Sequence, residues 1–414
     1  MNRYWRSVEE RDRGLEQHEI DDGRNEPNRR DFLKAAGFTL AGLSAACQRP
    51  PVGRAIPYLT APEEIVPGRA YWMASTCHGC AARCGVLVKC RDGRPIKIEG
   101  NPEHPLSRGG LCATGQASVL ELYDSHRLNG PMISGAAGDP ARETYEDPRA
   151  GLPAAPSPSW AEVDALVAQK LASSKKVRVV SSTLGSPAAS RVIERFLSRF
   201  EDGRHVIYDV PSSSAIADAH AATHGMRVIP RHRFDRADVT VSLDADFLGT
   251  WISPVQFTKE WAARKPGSWH VQLESRMSLT GSKADQRVRI HPDEFGDVLS
   301  QLGGEPKGAV YTRIYQRLAA AKGRSLVVSG SPRVADQILV NRLNEALGNY
   351  GQTVFLDEPS YQREGNDAAL AQLIEELPDV DALFVVDCNP VYDLTEGHPI
   401  AEKLGAVPLV VTFA

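Results

Sequence analysis

The sequence has little excess of charge, and it contains no long block of like charges. Lys and Arg together number 48 and Asp and Glu number 52, so the formal net charge is -4. Binding along a nucleic-acid backbone needs a basic surface, so this balance gives no support to a nucleic-acid partner. Long apolar runs are also missing, because the longest candidate, residues 35–46, is shorter than the roughly 18 residues of a membrane-spanning helix.

Cysteine is scarce and unevenly distributed. The 414 residues contain 7 cysteines, and five of them lie between residues 77 and 112. A disulfide scaffold spreads its cysteines through a short chain, whereas clustering in a long chain indicates ligation of a metal or cluster. Four of the five follow the spacing Cys-x2-Cys-x3-Cys with a distant fourth, and these are Cys77, Cys80, Cys84 and Cys112.

An iron–sulfur cube, structural zinc and a vestigial or disulfide site can all use four cysteines. Three thiolates on one loop and a fourth from a distant turn suit a [4Fe-4S] cluster, which we predict. Zinc sites usually pair two Cys-x2-4-Cys knuckles, so zinc is the alternative. The other cysteines of the chain body, Cys90 and Cys388, are expected to pack as small apolar side chains. Electron transfer by such a cluster needs no catalytic acid, base or nucleophile, and we assign none.

Residues 1–47 have the pattern of a twin-arginine export signal. Arg29 and Arg30 are followed by Asp-Phe-Leu-Lys and then by the apolar segment 35–46. This route exports folded proteins, often with a cofactor already inserted. Cys47 ends the apolar segment and is a candidate for lipidation, although the preceding leucine lies four residues before it rather than three. We expect export to the periplasm, with a signal that is cleaved, retained or lipidated.

The remaining composition predicts linkers around compact domains. About two to four domains are expected at this length. Residues 48–70 are rich in proline and charge, and residues 131–159 are rich in Gly, Pro and Ala, so both predict linkers. Residues 71–130 between them form the cysteine domain, in which an Asp-Gly turn joins two predicted strands.

From residue 160 onward, short β-branched strands alternate with helices, which predicts parallel-sheet α/β structure. We predict one α/β domain over residues 160–300 and a second over 305–414, and the second can be interpreted as incomplete or split. The predicted strands are 85–90, 95–98, 177–181, 206–208, 239–243, 270–273, 325–329, 354–356, 382–386 and 408–411, and the main predicted helices are 160–172, 187–199, 332–347 and 367–376.

The cysteine segment resembles a known family. Cys77 to Cys112, with GRPIKIEGNPEHP at residues 93–105, is similar to the N-terminal iron–sulfur domain of molybdopterin oxidoreductases, the dimethyl sulfoxide reductase family. YWRS at residues 4–7, the late twin arginines, and the segments 56–58 and 62–68 resemble the group with extended signals that includes the large iron–sulfur subunit of alternative complex III. Residues 238–251 are similar to that subunit too.

This resemblance implies a small β-rich iron–sulfur domain followed by two parallel-sheet α/β units, one [4Fe-4S] cluster and a place for molybdopterin dinucleotide. The family's C-terminal pterin-binding barrel has no counterpart in the sequence. The implied partners are a ferredoxin-like iron–sulfur protein, a multihaem cytochrome and a quinol-oxidising membrane subunit. The implied location is the periplasmic face of the inner membrane, with attachment through the complex, a retained signal or lipidated Cys47.

The sequence departs from catalytic members of the family at three places. Those members usually have Lys or Arg two residues after the fourth cysteine, where this chain has Thr114. Their glycine-bearing strand end corresponds to Asp244-Ala245-Asp246, which would face a phosphate with two carboxylates. The only candidates for a metal ligand are Ser212, Ser213 and Ser214. The segment 274–285 resembles a guanosine-recognition segment, with an ordinary polar loop as the alternative.

Three hypotheses follow from these features. The first is an electron-transfer subunit of a quinol-oxidising respiratory complex, and the departures favour it. The second is a catalytic molybdenum or tungsten bis-pterin oxidoreductase, or the N-terminal part of one, and the intact cysteine set favours it. The third is a non-redox scaffold with zinc. Under the first, we expect Arg83, Lys89 and Arg108 to tune the cluster, while His78 is expected at the surface.

Overall fold

The computed structural model describes residues 66, 68–124, 128, 130–133, 158–395 and 397–413. The predicted signal region 1–47 and most of the two predicted linkers lie outside the described residues. All described residues belong to one compact unit, Ile65–Ala414. Within these ranges, every helix is too short or too polar to cross a membrane.

A small antiparallel sheet opens the described chain. Its strands are β1 (Tyr71–Thr76), β2 (Gly85–Arg91) and β3 (Arg94–Gly100), in the order β1-β2-β3. Asp92 and Gly93 join β2 to β3 with φ values of 50° and 76°, as a tight hairpin turn requires. The short helix α1 (Ala113–Ala117) and a 3-10 helix (Ser118–Tyr123) follow. The predicted hairpin in the cysteine domain is therefore confirmed.

The rest of the described chain alternates helices and strands. The helices are α2 (Trp160–Leu171), α3 (Pro187–Leu197), α4 (Ser214–His224), α5 (Pro254–Ala262), α6 (Leu279–Ser282), α7 (Phe295–Leu302), α8 (Ala309–Ala320), α9 (Val334–Ala346), α10 (Asp367–Glu376), α11 (Pro390–Asp393) and α12 (Gly397–Leu404). The strands are β4 (Lys176–Ser181), β5 (Asp202–Ile207), β6 (Ile229–His232), β7 (Val239–Leu243), β8 (Trp269–Glu274), β9 (Gln286–Arg289), β10 (Ser325–Ser329), β11 (Val354–Ser360), β12 (Ala382–Val386) and β13 (Leu409–Phe413).

These strands form two parallel sheets and one antiparallel pair. One sheet has the order β13-β12-β4-β5, and the other has the order β10-β7-β8-β9. Strand β11 pairs with β6 in antiparallel fashion. The central strands β12 and β7 are buried at nearly every position, as expected where helices cover both faces of a parallel sheet. The predicted fold class, a small β-rich domain followed by parallel-sheet α/β units, is confirmed.

The pairing of the strands differs from the predicted division at about residue 300. Strand β4 pairs with β12 in one sheet, and β7 pairs with β10 in the other, so both sheets take strands from residues 160–300 and 305–414. The second sheet is thus inserted in the sequence between the two halves of the first. Hydrophobic patterns report only local structure, and a parallel neighbour can come from any later part of the chain.

Candidate functional site

The cysteine loop is the turn between β1 and β2, and it is tightly folded. Cys77 N–H donates to Cys84 O at 2.8 Å, and Arg83 N–H donates to Cys80 O at 3.2 Å. Arg83 has a φ of 45°, a left-handed conformation that reverses the chain just before Cys84. The loop thereby brings three cysteines of the predicted set together.

The fourth cysteine, Cys112, caps the N-terminus of α1. Its Sγ accepts a hydrogen bond from Gly115 N–H at 3.4 Å, and Cys77 Sγ accepts one from Gly79 N–H at 3.5 Å. A Cβ at Gly115 would lie 3.5 Å from Cys77 Sγ and 2.4 Å from Leu111 Cδ1. Gly115 therefore leaves room for Cys77 Sγ beside the helix. Because Gly115 also donates to Cys112 Sγ, it lies between the fourth cysteine and the cysteine loop.

The cysteines Cys77, Cys80, Cys84 and Cys112 all line one cavity of about 600 Å³. Burial raises the pKa of the Cys84 thiol to about 12, and the neighbouring thiols of Cys80, Cys77 and Cys112 contribute to that rise. Burial also raises the pKa of Cys77, with contributions from Cys80 and Cys112. Ionisation of Cys77 and Cys84 is therefore costly unless a cationic centre binds the thiolates.

The donor set is four thiols, three on one loop and one at the start of α1, which suits a four-iron cube. Among the described Cys, His, Asp and Glu side chains, no group of three or more is placed to hold one metal ion. In a four-iron cube each cysteine sulfur binds a different iron. The four thiolates therefore stand farther apart than they do around one zinc ion. The assignment of these four cysteines as ligands stays a prediction, which the shared cavity and the amide donors support.

Arg83 fastens the cysteine loop to the parallel sheet. Its Nη2 lies 3.0 Å from Asp387 Oδ2 and 3.3 Å from Thr183 O, at the carboxyl ends of β12 and β4. Its Nη1 lies 2.9 Å from His78 Nδ1, and Gln362 Nε2 donates to Ala82 O at 2.9 Å. The charge of Arg83 acts to lower the pKa of the Cys77 thiol, and its predicted effect on the cluster, like that of Lys89 and Arg108, stays a prediction.

A second cavity of about 450 Å³ lies at the carboxyl ends of β4, β5 and β12. Chain connections leave β4 and β12 in opposite directions, and a crevice at such a switch point is a common ligand site in parallel sheets. Gly79, Cys80, Val210 and Arg363 line both this cavity and the one that holds the cysteines. The two cavities are therefore adjacent.

Aspartates occupy the turns at both switch points. Asp387 follows β12 and Asp244 follows β7, each with a φ of 53°, a conformation that usually selects glycine. Burial raises the pKa of Asp244. A nucleotide pyrophosphate that approached either turn would meet a carboxylate, which is unfavourable unless that carboxylate is paired or protonated.

Asp246, the second acid of the predicted phosphate-facing pair, is engaged elsewhere. Its Oδ1 accepts hydrogen bonds from Thr280 N–H at 3.0 Å and Thr280 Oγ1 at 2.8 Å. Glu274 is fully buried and accepts hydrogen bonds from Ser278 and Arg287. The segment 274–285 is thus a polar loop with a short helix wrapped around two acids, and its role in guanosine recognition stays a prediction.

The other residues singled out in the sequence lie in varied settings. Thr114 lines the cysteine cavity, where it offers a hydroxyl and a methyl group but no charge. Ser212 and Ser214 donate to Asp367 and Asp218, and neither they nor Ser213 line the two cavities. Lys89 lies over the ring of Trp72, 5.6 Å from its centroid.

Cys90 and Cys388 were both expected to be packing residues, and the structure places them in different surroundings. Cys90 is buried on β2, which confirms the expectation. Cys388 is only partly buried, and it lines the second cavity beside Tyr208. Its Sγ donates to Val180 O at 3.7 Å, and burial raises the pKa of this thiol to about 11. Cys388 is therefore part of the cavity wall as well as of the packing.

Several residues in and around the second cavity could not be identified from the sequence. Thr183, Asp209, Arg363 and Asp387 lie on separate segments that meet only in the folded chain. Asp209 is an example, because its hydrogen-bond donors are distant in sequence. It accepts hydrogen bonds from Thr183 Oγ1 at 2.7 Å and from Gly365 N–H at 3.0 Å. The left-handed turn at Asp387 leaves no mark in the sequence, because glycine is absent there.

Comparisons with known proteins agree with this geometry. Residues 70–124 match the family model "Molybdopterin oxidoreductase Fe4S4 domain". One of the subunits of sulfite dehydrogenase from Allochromatium vinosum is 34% identical over 25% of this chain and 10% of its own length. The menaquinone reductase molybdopterin-binding-like subunit of Nitratidesulfovibrio vulgaris is 23% identical over 93% of this chain and 62% of its own.

Two further similarities point the same way. The molybdopterin-containing subunit of the arsenate respiratory reductase of a Shewanella species is 24% identical over 64% of this chain and 31% of its own length. The structure of acetylene hydratase from Pelobacter acetylenicus superposes with a TM-score of 0.60 at 13% identity, over 82% of this chain and 60% of that one. The chain thus spans less than two thirds of each of these relatives. The predicted resemblance is confirmed for the Fe4S4 domain at residues 70–124, and the superposition shows the fold.

Proposed function

We propose, from the premise that this chain is a molybdopterin oxidoreductase-like protein with an Fe4S4 domain at residues 70–124, that it is an exported electron-transfer subunit. Its single [4Fe-4S] cluster is held by Cys77, Cys80, Cys84 and Cys112. The observation that carries this proposal is the meeting of four thiols in one cavity, with amide donors to two of them.

When bound, such a cluster supplies a one-electron couple. The chain's own residues then set its surroundings. Amide hydrogens of Gly79 and Gly115 donate to sulfur, which spreads the negative charge of the thiolates. Leu111, Leu248 and Val255 line the same cavity and limit the access of water. None of these roles requires a residue that transfers a proton.

We further propose that the chain works in a membrane-associated, quinol-oxidising respiratory complex. The twin-arginine pattern at Arg29 and Arg30 supports export. A relative that aligns along most of the chain is named as a menaquinone reductase subunit, which supports membership of a multi-subunit complex. The partners would be a ferredoxin-like iron–sulfur protein, a multihaem cytochrome and a quinol-oxidising membrane subunit.

A catalytic molybdenum or tungsten bis-pterin enzyme is the second candidate. The adjacent cavities between the cysteine loop and the carboxyl ends of the strands favour it, because they offer space for a large cofactor. Three features disfavour it: Thr114 carries no charge, Arg83 already pairs with Asp387 in the crevice, and Asp244 occupies the other turn. A zinc scaffold is the third, and the 3+1 arrangement of the cysteines disfavours it, because zinc sites usually pair two Cys-x2-4-Cys knuckles.

Cofactor analysis of the full chain, purified without oxygen, separates the three. We expect about four irons and four acid-labile sulfides per chain, absorbance near 400 nm, and no pterin released on denaturation. Stoichiometric pterin with molybdenum or tungsten would establish the catalytic candidate. Zinc without iron would establish the scaffold. Export is tested separately with Arg29→Lys/Arg30→Lys, which should retain the protein in the cytoplasm while the wild type reaches the periplasm.

A further inference from the structure

Arg363 is a buried cation with few partners. Only 9% of the residue is exposed, and Nη1 donates to Gln362 O at 2.9 Å. No described carboxylate forms an ion pair with it, which is unusual because an unpaired buried charge is costly. Its Nε and Nη2 have no described hydrogen-bond partner, and Arg363 lines both cavities.

The acids of the neighbouring cavity are already satisfied by other donors. Asp387 accepts from Arg83 and Ser182, and Asp209 accepts from Thr183 and Gly365. Asp393 accepts from Tyr208 Oη and from the backbone N–H of Asn389. None of these three carboxylates is therefore the counter-charge of Arg363.

The segment that carries Arg363 is fixed against the cysteine loop. Gln362 Nε2 donates to Ala82 O, two residues before Cys84. On the other side, Glu364 N–H donates to Thr183 Oγ1 at 2.8 Å, and Gly365 N–H donates to Asp209 Oδ2. The Gln362 side chain and the backbone amides of Glu364 and Gly365 thus hold the segment, and Arg363 lies in the wall of the cavity that the four cysteines line.

We infer that Arg363 is a positive counter-charge of the cluster, beside Arg83, and raises its reduction potential, a role that the uncharged Thr114 cannot fill. This inference rests on the proposed function. Four thiolates give an oxidised cluster roughly two negative charges, and reduction adds a third. A fixed cation stabilises the reduced form more than the oxidised form, because the attraction grows with the cluster's charge. Arg363 acts through the cluster and is a positioning residue rather than a catalytic one.

The test is an EPR-monitored redox titration of the full chain with Arg363→Gln, Arg363→Met and Arg363→Lys. Loss of the positive charge should reduce the equilibrium constant for one-electron reduction about tenfold, which lowers the potential by about 59 mV. The lysine variant should stay close to the wild type. Arg333→Gln is the matched control, since Arg333 pairs with Asp336 and lines neither cavity. It should not change the potential.

Each outcome decides the inference. Equal potentials in the wild type and the neutral variants would overturn it, and so would loss of the cluster in all three Arg363 variants, which would indicate a purely structural role. Loss of the cluster in both neutral variants with retention in Arg363→Lys supports the requirement for charge. A wild-type chain without iron refutes the proposed function instead, so the two failures are distinguishable.

Discussion

Arg83 and Asp387 form an ion pair of 3.0 Å between Nη2 and Oδ2, although they are 304 residues apart in sequence. Arg83 lies in the cysteine loop, and Asp387 lies in the left-handed turn at the end of β12. The pair joins the Fe4S4 domain to the crevice of the parallel sheet. Stability of the cluster should therefore depend on a residue that is far from every cysteine of the set in sequence.

The first prediction concerns Asp387→Asn. Asparagine tolerates the left-handed backbone, so the change removes the charge and leaves the turn intact. We expect the cluster absorbance near 400 nm to bleach about three to ten times faster with an iron chelator, as loss of about 1 kcal/mol in a half-exposed pair implies. Asp92→Asn is the control, since Asp92 is also left-handed and lies 3.5 Å from Arg91. Equal bleaching of both variants would mean that the ion pair does not hold the loop.

The second prediction concerns acid stability and His270. Burial lowers the pKa of His270 to about 3, and neither ring nitrogen has a described hydrogen-bond partner. The unfolded chain binds a proton on His270 near pH 6.5, whereas the folded chain does not. The contribution of neutral His270 to the free energy of unfolding is therefore complete above pH 6.5 and is lost as pH falls towards 3. The loss should be on the order of 1 kcal/mol per pH unit.

His270→Phe tests this pH dependence. Phenylalanine keeps the packing against Phe247 and Trp261 and removes the two unpaired nitrogens. In urea unfolding between pH 7.5 and 5, the free energy of unfolding should fall less steeply for the variant than for the wild type. An unchanged slope would show that the folded chain protonates His270 as readily as the unfolded chain does.

The third prediction concerns the buried Arg178 on β4. Its Nε donates to Glu376 Oε1 at 2.7 Å, and its Nη2 donates to Asp202 Oδ2 at 2.8 Å. Arg178→Met leaves Glu376, whose side chain is 16% exposed, without this partner. Lys176 still pairs with Glu376 at 3.2 Å, so we expect the free energy of unfolding to fall by about 2 to 3 kcal/mol in denaturant titrations.

Arg204→Met is the matched control for Arg178→Met. Arg204 also pairs with Asp202, at 3.0 Å, but its side chain is 50% exposed. An exposed pair contributes less than about 1 kcal/mol, so this variant should unfold at nearly the wild-type denaturant concentration. Similar losses in both variants would contradict a special role for the buried arginine.

Local features of the fold were predictable from the sequence, and long-range ones were not. The strands at 239–243, 325–329 and 382–386 were predicted with their observed bounds, because β-branched runs between turn residues carry the signal locally. The pairing of β4 with β12 depends on which edges meet after folding, which no local pattern encodes. The second sheet is therefore inserted between the two halves of the first, where the sequence predicted two consecutive domains.

The candidate site shows the same division. The spacing of Cys77, Cys80 and Cys84 identified the loop, because one turn must present all three thiols. Arg363 could not be found in this way, since an arginine in a loop is ordinary until its burial and its place in the cavity wall are known. The orientation of Asp246 towards Thr280 could not be predicted from the sequence either. Only the folded chain shows that Thr280 donates a hydrogen bond to this carboxylate.

The central claim is that Cys77, Cys80, Cys84 and Cys112 hold a redox-active [4Fe-4S] cluster, and EPR of the dithionite-reduced chain tests it most directly. The wild type and Cys90→Ala should give the same S = 1/2 signal, because Cys90 is buried on β2 outside the cavity. Cys84→Ala should lose that signal or convert it to one from a smaller cluster. An unchanged signal in Cys84→Ala, or no signal in the iron-loaded wild type, would contradict the claim.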